Sequence, residues 1–492
     1  MLSILVDTNF VVYAEPTSSS GVTVFAKDCL AVASLASSLR CPIFIHPASK
    51  DEILNDPDHA RREFRATLLN RYSVLETPPD VVEIERKLGP PSKPSQAIDN
   101  KILACLYHNA VSHIVTSDGG IHAKARQLRL SERVLHPATA VSYLKSLAGD
   151  RFRPPGPAKL LKAHAISVND PIFDSLRKDY DGFDSWWKKC CTEQRDCHVI
   201  EQEDGRLGGL VVFNAEPVEG GSVLGKGMKF CTFKVSENAR GQRFGELLLW
   251  SGFEFARKLH ATHVWLTAFD HHPELLSLIE SFGFRHVGKK GNSQEGIFVK
   301  ELVPSEPATN LSPLEYHVRY GPRALPHVEV PFFLVPIRPN WDKDLFLQAA
   351  GERNLFSTSR PCAHAMRKAY LCNSPIRALA PGDVVLFYRT APSSGVVGVG
   401  VVERSFRSGE PDDIVPAVLD RTVYSLVEIK DMCEKSEVHV TLFRHAFRLQ
   451  VPIRLKTLVA NKVVKAAPQS ITEVRNGGLR WIRQEISRLI AE

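Results

Sequence analysis

Asp7, Glu52, Asp99 and Asp118 are the residues whose type and setting first suggest chemistry. Asp7 comes directly after the apolar run SILV (3–6), and Asp118 directly after HIVTS (113–117). Both therefore stand at the C-terminal end of an expected strand, the edge where open α/β sheets gather their sites. Asp99 opens the amphipathic stretch AIDNKILACLYHNA (97–110), and Glu52 lies early in the helical stretch KDEILND. Carboxylates brought to one sheet edge repel one another unless a cation lies between them, and hard oxygen ligands select Mg²⁺ or Mn²⁺. Such an ion orients a phosphodiester, generates hydroxide near neutral pH and stabilises the leaving oxygen. Taken singly, Asp7, Asp99 and Glu52 also read as helix caps or first-turn acids, and Asp118, followed by two glycines, as a turn residue.

A second chemical signal lies in the middle of the chain. The run MKFCTFKV (228–235) reads as a strand, SENARGQRFG (236–245) as a turn, and ELLLWSGFEFARKL (246–259) as a helix. A strand that feeds a glycine-containing turn into a helix start makes an anion site. Free backbone N–H groups and the helix dipole face the ligand, and Gly241 and Gly245 permit close approach. Any phosphate could use it. His271 and His272 are nearby groups able to move a proton, and equally plain surface residues.

The elements that must position these residues fall into three stretches. DRFRPPGPAK (150–159) and VPSEPATNLSP (303–313) are rich in Pro and polar residues and read as linkers. They define domains at 1–150, 160–302 and 315–492, each large enough for its own core. The first alternates strands and helices and is expected to be α/β with a parallel sheet. The last is mostly strand, with a hairpin at 383–403 and terminal helices. The fold class expected is α/β and α+β multidomain. Net charge is 0 over 1–150, +1 over 151–303 and +6 over 304–492, and 18 of the 25 basic residues of the last stretch are Arg. Arg suits bidentate contact with phosphate and base edges; a solvated basic surface is the alternative. Ten scattered cysteines without a CxxC pair read as free thiols of a reducing cytoplasm. Cys190, Cys191, Cys197 and His198, like Cys362, His364 and Cys372, lack the paired short spacing of a zinc site. No apolar run is long enough to span a membrane, so no membrane partner is expected.

Three resemblances sharpen these readings. VDTNFVVYA, DEILND, AIDNKILACLYHNA and IVTSDGGIHAKARQL, in this order, resemble a PIN domain over about residues 1–145. This implies a metal-dependent ribonuclease fold with Asp7, Glu52, Asp99 and Asp118 as ligands of Mg²⁺ or Mn²⁺, supported by Thr8, Asn9 and Thr116. Residues 160–302 resemble a GNAT N-acetyltransferase, with AHAISVND as first strand, CHVIEQEDGRLGGLVVFNAE as a hairpin, and RGQRFG as the acetyl-CoA loop. The resemblance implies that the amides of Arg240, Gly241, Gln242, Arg243, Phe244 and Gly245 grip the CoA pyrophosphate and that the backbone of Phe233 and Val235 pairs with pantetheine. The family usually has Gly where this chain has Arg243, and often an acid-donating Tyr where it has Ile279. Residues 160–302 are expected to bind acetyl-CoA without the rest of the chain. The segments PFFLVPIRPNW, PGDVVLFYRTAPSSGVVGVGVVE and FRLQVPIRLKTLV resemble a PUA-like barrel of the ASCH or EVE kind. This implies RNA binding, with Arg338, Trp341, Arg360, Arg367 and Tyr388 as candidates. The expected whole is a cytoplasmic, nucleic-acid-directed protein that joins a ribonuclease to an acetyltransferase, with RNA, a protein substrate or an antitoxin-like protein as partner. The alternatives are an acetyltransferase with a PIN scaffold and an acetyl-CoA-sensing regulator without turnover.

Overall fold

The computed structural model describes residues 2–14, 24–39, 41–54, 62, 69, 72–147, 158–202, 204–219, 223, 225–236, 239, 242–291, 294–304, 310–326, 329–346, 361–363, 365–374, 376, 379–418 and 421–491. The chain divides into two compact units. One is Met1–Phe152 with Arg240–Gln242 and Asp412–Leu419; the other is Arg153–Ala239, Arg243–Pro411 and Asp420–Glu492.

The first unit holds β1 (Ile4–Val6), β2 (Ile43–Ile45), β3 (Ser73–Val74), β4 (His113–Val115) and β5 (Val134–Leu135). They form one sheet in the order β3-β2-β1-β4-β5, parallel throughout. β1 and β4 are buried at every position. A strand covered by helices on both faces carries a continuous apolar run rather than alternation, which is why SILV and HIV could be recognised. The order turns outward in both directions from β1 and β4, and such a switch point opens a crevice at the C-terminal strand ends. Asp7 follows β1 there, and Thr116 and Asp118 follow β4. The helix carrying Asp99 begins at Pro94, earlier than expected, so Asp99 lies one turn inside it.

In the second unit, β6 (Lys159–Lys162), β7 (Asp196–Glu201), β8 (Leu207–Ala215), β9 (Gly227–Val235), β10 (His263–Ala268), β11 (Arg285–Lys289) and β12 (Gly296–Glu301) make a seven-stranded sheet ordered β11-β12-β10-β9-β8-β7-β6. Only β9 and β10 are parallel neighbours. AHAISVND is not the first strand. Ala163–Ala165 is a tight helical turn, and the strand is the preceding Lys159–Lys162. The Ile166 N–H bonds to the Ala163 carbonyl at 3.1 Å, which closes that turn in place of a ladder; the Asp170 carboxylate accepts the N–H of Ile172 at 2.9 Å and of Leu207 at 3.1 Å. The helix Phe244–Lys258 lays Phe244, Leu247, Leu248, Phe253 and Ala256 on Met228, Phe230, Val264 and Leu266 of β9 and β10, and Met366 joins this core from far along the chain.

The same unit continues with β13 (Phe332–Ile337), β14 (Arg367–Cys372), β15 (Val384–Arg389), β16 (Gly395–Ser408), β17 (Val438–Arg454) and β18 (Thr472–Val474). The hairpin expected at 383–403 is β15 and β16. The sheet runs β14-β17-β16-β15-β13-β18. Its end strands do not pair among the described residues, so the PUA-like barrel expected from sequence is replaced by an open sheet. Part of the expected linker is structured. Ser312 and Glu315 form a reciprocal cap that starts the helix Pro313–Tyr320. That helix packs on Gly283, where a Cβ would lie 2.1 Å from the Val318 carbonyl oxygen. No described helix is long and apolar enough to cross a membrane.

Candidate functional site

The middle sheet parts between β9 and β10. Their pairing runs from His263–Gly227 to Trp265–Lys229 and goes no further. Beyond it β9 stays with β8 to Val235, and β10 stays with β12 to Ala268. The cause lies in β9. Thr232 pairs with Val212 and Phe230 with Phe213, which leaves Cys231 as an extra residue. A bulge of this kind bends and twists its strand, here away from β10. The Ser236 N–H bonds to the Gly208 carbonyl at 2.9 Å. That bond sets the phase of the antiparallel β8–β9 ladder, in which only alternate residues bond to the partner. Thr232 and Lys234 face β8. The N–H and C=O of Phe233 and Val235 face the side from which β10 has departed. Backbone groups on such an edge call for partners, and an amide-bearing chain can supply them by adding to the strand.

β9 leads into the helix Phe244–Lys258. Its N-cap residue Arg243 makes no side-chain cap hydrogen bond. The first bond of the helix runs from Leu247 N–H to the Arg243 carbonyl, so the N–H groups of Phe244, Gly245 and Glu246 precede the ladder. N–H groups ahead of the ladder, together with the helix dipole, suit an anion. Arg240 and Gly241 lie outside the described residues, and Gln242 lies in the turn. Arg243 has φ +62°, a left-handed conformation that glycine adopts without strain. Its guanidinium is held by Glu246, Nη1 to Oε1 at 3.0 Å. Gly245 serves packing as well: a Cβ there would lie 2.6 Å from Leu278. Phe244 is a core residue, and only its backbone is available to a ligand.

The proton-transfer candidates are spread out. His271 is exposed and stacks on Phe269 at 5.0 Å; His272 stands 3.8 Å from Asp179. Ile279 is buried in the core under the sheet, so no proton donor stands at that position. Sequence reading missed a polar group beside the parted strand. Glu295, 3% exposed, accepts from Tyr180 Oη and Thr267 Oγ1, each at 3.1 Å, and from Lys290 Nζ at 2.8 Å. Burial opposes its charge, but these donors hold its carboxyl below the usual range. Thr267 belongs to the part of β10 that no longer pairs with β9. The three residues are 180, 267 and 295 in the chain, so no local spacing marked them.

At the first unit's switch point the carboxylates converge electrostatically. Asp7 is pushed up to about 7, first by burial and then by the charges of Asp118 and Asp99, against the bonds from Thr116 Oγ1 (2.6 Å) and the Phe10 N–H (2.8 Å). Asp99 is also raised, mainly by burial, although Lys124 Nζ lies 3.0 Å from its Oδ2. Asp118 Oδ1 accepts the Ile121 N–H at 3.0 Å, and Thr8 Oγ1 donates to Glu52 Oε2 at 2.6 Å. Thr116 and Thr8 thus each donate to one of the acids. The metal expectation does not fit this arrangement. Each acid already has a protein partner, the Lys124 ammonium supplies the cation beside Asp99, and no group of three His, Cys, Asp or Glu among the described residues could hold an ion.

The nucleic-acid candidates divide. Arg338 is exposed and lies over the Trp341 ring at 4.8 Å; Trp341 in turn packs on Tyr424. Arg367 is engaged with Glu403 at 2.7 Å. Tyr388 is fully buried among Leu386, Val396 and Ile482, which leaves no ring face for a base and removes it from the set. Arg360 lies outside the described residues.

Residues 163–284, a quarter of the chain, match the model of the acetyltransferase (GNAT) family. The middle region is therefore a GNAT-type acetyltransferase domain within a mixed α/β multidomain chain. No curated protein matches the chain. Among solved structures, ASCH from Zymomonas mobilis is 16% identical over 31% of this chain and 94% of its own, with TM-score 0.25. A GNAT family acetyltransferase from Elizabethkingia anophelis with acetyl-CoA bound is 14% identical over 30% and 98%, with TM-score 0.23. An IAA acetyltransferase from Bacillus cereus is 15% identical over 30% and 98%, with TM-score 0.23.

Proposed function

We propose that the middle domain binds acetyl-CoA and transfers its acetyl group to an amine. The observation that carries this reading is the parting of β9 from β10 beside an uncapped helix start, with the backbone of Phe233 and Val235 turned to the gap. A pantetheine amide chain would add to the β9 edge, and the pyrophosphate would meet the N–H groups of Gln242 to Gly245, together with those of Arg240 and Gly241. Bound acetyl-CoA would supply a thioester carbonyl; the amine nitrogen would attack it, the C–N bond would form, the C–S bond would break, CoA would leave as a thiolate that takes up a proton, and the amine would lose one. His271, His272 and the Tyr180–Glu295 pair are the candidates to take the amine proton or to orient the amine. The test is calorimetry of acetyl-CoA on the full chain, followed by thiol release with polyamine, peptide and RNA amines. Absence of both binding and thiol release would sink the reading.

A second reading concerns the first unit. We propose that it is PIN-like and acts on RNA. What favours this is Asp7, Asp99 and Asp118 gathered at the switch point of a parallel sheet, one of them pushed up to about 7. Domains at 1–150, 160–302 and 315–492, RNA as partner of the basic last domain, an antitoxin-like protein partner and a cytoplasmic setting belong to the same proposal. Cleavage of total RNA by the full chain, against Asp7→Asn, is its test. Equal RNA turnover by the two proteins would refute it.

A further inference from the structure

The helix that carries the anion site has a third face, apart from those toward the sheet and toward solvent. Glu246, Trp250 and Glu254 recur at intervals of four and so form one stripe along it. All three meet the C-terminal part of the chain. Glu246 Oε2 accepts the backbone N–H of Met366 at 2.8 Å and of Arg367 at 3.1 Å. Trp250 stacks on His445 with centroids 4.8 Å apart. Glu254 takes a two-point bond from Arg323, at 3.0 and 2.8 Å. Glu246 is 3% exposed, and its other oxygen holds Arg243, the left-handed residue that closes the turn.

We infer that Glu246 is a positioning residue of the acetyl-CoA site, and that through it the strand β14 of the C-terminal sheet holds the turn in its binding shape. The inference rests on the acetyl-CoA reading above. One carboxylate bridges two things that are otherwise separate. One oxygen fixes the side chain of Arg243, a residue whose backbone conformation needs outside support because it is not glycine. The other is fixed by the amides of Met366 and of Arg367, the first residue of β14, which is itself anchored: Arg367 is bonded to Glu403 at 2.7 Å, Glu403 to Arg444 at 3.2 Å, and Arg444 lies over Phe282 at 5.4 Å. The bridge is therefore backed by a chain of charge pairs returning to the acetyltransferase core. Arg367, expected to hold nucleic acid, serves this chain instead.

Acetyl-CoA affinity of the full chain, by calorimetry, tests the inference in the wild type and five variants. Glu246→Gln puts an amide donor where a donor already stands, at Arg243 or at β14, and is expected to weaken binding about tenfold. Glu246→Asp keeps the charge but is too short to span both ends, and carries the test if the Gln variant does not fold; it should fall between. Arg243→Gly gives the turn a residue at ease with positive φ, and in that background Glu246→Gln should change affinity less than about twofold. Glu254→Gln loosens the same stripe far from the turn and should leave affinity as in the wild type. Hydrogen exchange adds a readout remote from the ligand: saturating acetyl-CoA should slow exchange at Met366 and Arg367 in the wild type and not in Glu246→Gln. Wild-type affinity of a folded Glu246→Gln or Glu246→Asp protein, or equal weakening by Glu254→Gln, overturns the positioning role while leaving acetyl-CoA binding intact. No binding by the wild type overturns both.

Discussion

Asp7→Asn should make the first unit more stable above neutral pH, although it removes a charged group from the centre of a candidate site. The sign follows from where Asp7 titrates. Its ordinary value is 3.8, and in the fold it is pushed up to about 7, chiefly by burial and further by Asp118 and Asp99. Between these pH values the folded chain keeps a proton that the unfolded chain has released. Stability therefore falls as pH rises from about 4 to 7 and stays low above. At ~1.4 kcal/mol per pH unit the full span is worth roughly 4 kcal/mol. Asparagine has the same shape and never ionises. Its carbonyl can still accept the Phe10 N–H, but its amide meets Thr116 Oγ1, which already accepts the Asp118 N–H at 2.9 Å. Reorienting that hydroxyl costs about 1 kcal/mol. The expected net is a gain of about 1–3 kcal/mol at pH 8 and a loss of at most ~1 kcal/mol at pH 4. Urea titrations read by hydrogen exchange of the peptide covering residues 4–14 measure it, and other groups cancel in the difference between the two proteins. A difference independent of pH, or a variant less stable at pH 8, would refute the account. A residue that lowers the stability of its own fold in this way is a mark of a functional carboxylate rather than of a cap.

Three further outcomes are expected. Gly283→Ala meets both a left-handed backbone, φ +86°, and the Val318 carbonyl at 2.1 Å; about 3 kcal/mol or more should be lost, seen as a fall of several degrees in Tm. Tyr388→Phe should be neutral or stabilising by about 1 kcal/mol and leave RNA binding unchanged, because the Tyr388 hydroxyl is buried without a partner. Arg338→Ala should weaken RNA binding and lower its salt slope by ~0.7, whereas an unchanged slope would place the phosphate contacts elsewhere.

Much of the fold was legible, for a physical reason that also marks the failures. MKFCTFKV was found because buried and less buried residues alternate along most of it, and SILV and HIVTS because buried strands are apolar runs. The same rule, read fully, explains Tyr388: in VVLFYR the first five residues are buried, so both faces are covered and no position was free to meet a base. AHAISVND failed because its first residues close a tight helical turn, with the Ile166 N–H on the Ala163 carbonyl. The anion turn was legible from its glycines, and the oddity of Arg243 was visible, but not its cause. Arg243 and Glu246 look like a surface pair at i, i+3. What buries that pair, Met366 and Arg367, comes 120 residues later. The Tyr180–Thr267–Glu295 group is dispersed in the same way, as is Cys231, whose bulge only pairing reveals.

The charge balance around the turn shows why residues 160–302 should not bind acetyl-CoA well by themselves. An acid in the first turn of a helix is favoured by the dipole, yet here it stands where a pyrophosphate is to bind, and two anions compete for one positive end. Burial alone would relieve the conflict by protonating Glu246. Instead its carboxyl is held below the usual range by Arg243, Arg421, Arg367 and the Arg367 N–H, which outweigh burial. Arg243, Arg367, Arg421 and Arg444 thus lie about two carboxylates, Glu246 and Glu403, and the excess is positive. Arg367, Arg421 and the Met366 and Arg367 amides lie outside 160–302, and so does the Met366 side chain of the hydrophobic core. In the excised fragment Glu246 keeps Arg243 alone, the local charge falls from a positive excess to balance, and the core has a gap where Met366 packs. Calorimetry should therefore find the fragment weaker for acetyl-CoA than the full chain by tenfold or more, on the order of 1.4 kcal/mol. The deficit should shrink in Glu246→Gln, where no carboxylate remains at the helix start to oppose the phosphates. A fragment that matches the full chain in affinity would mean that the turn holds its own shape, and that the stripe of Glu246, Trp250 and Glu254 only docks one domain on another.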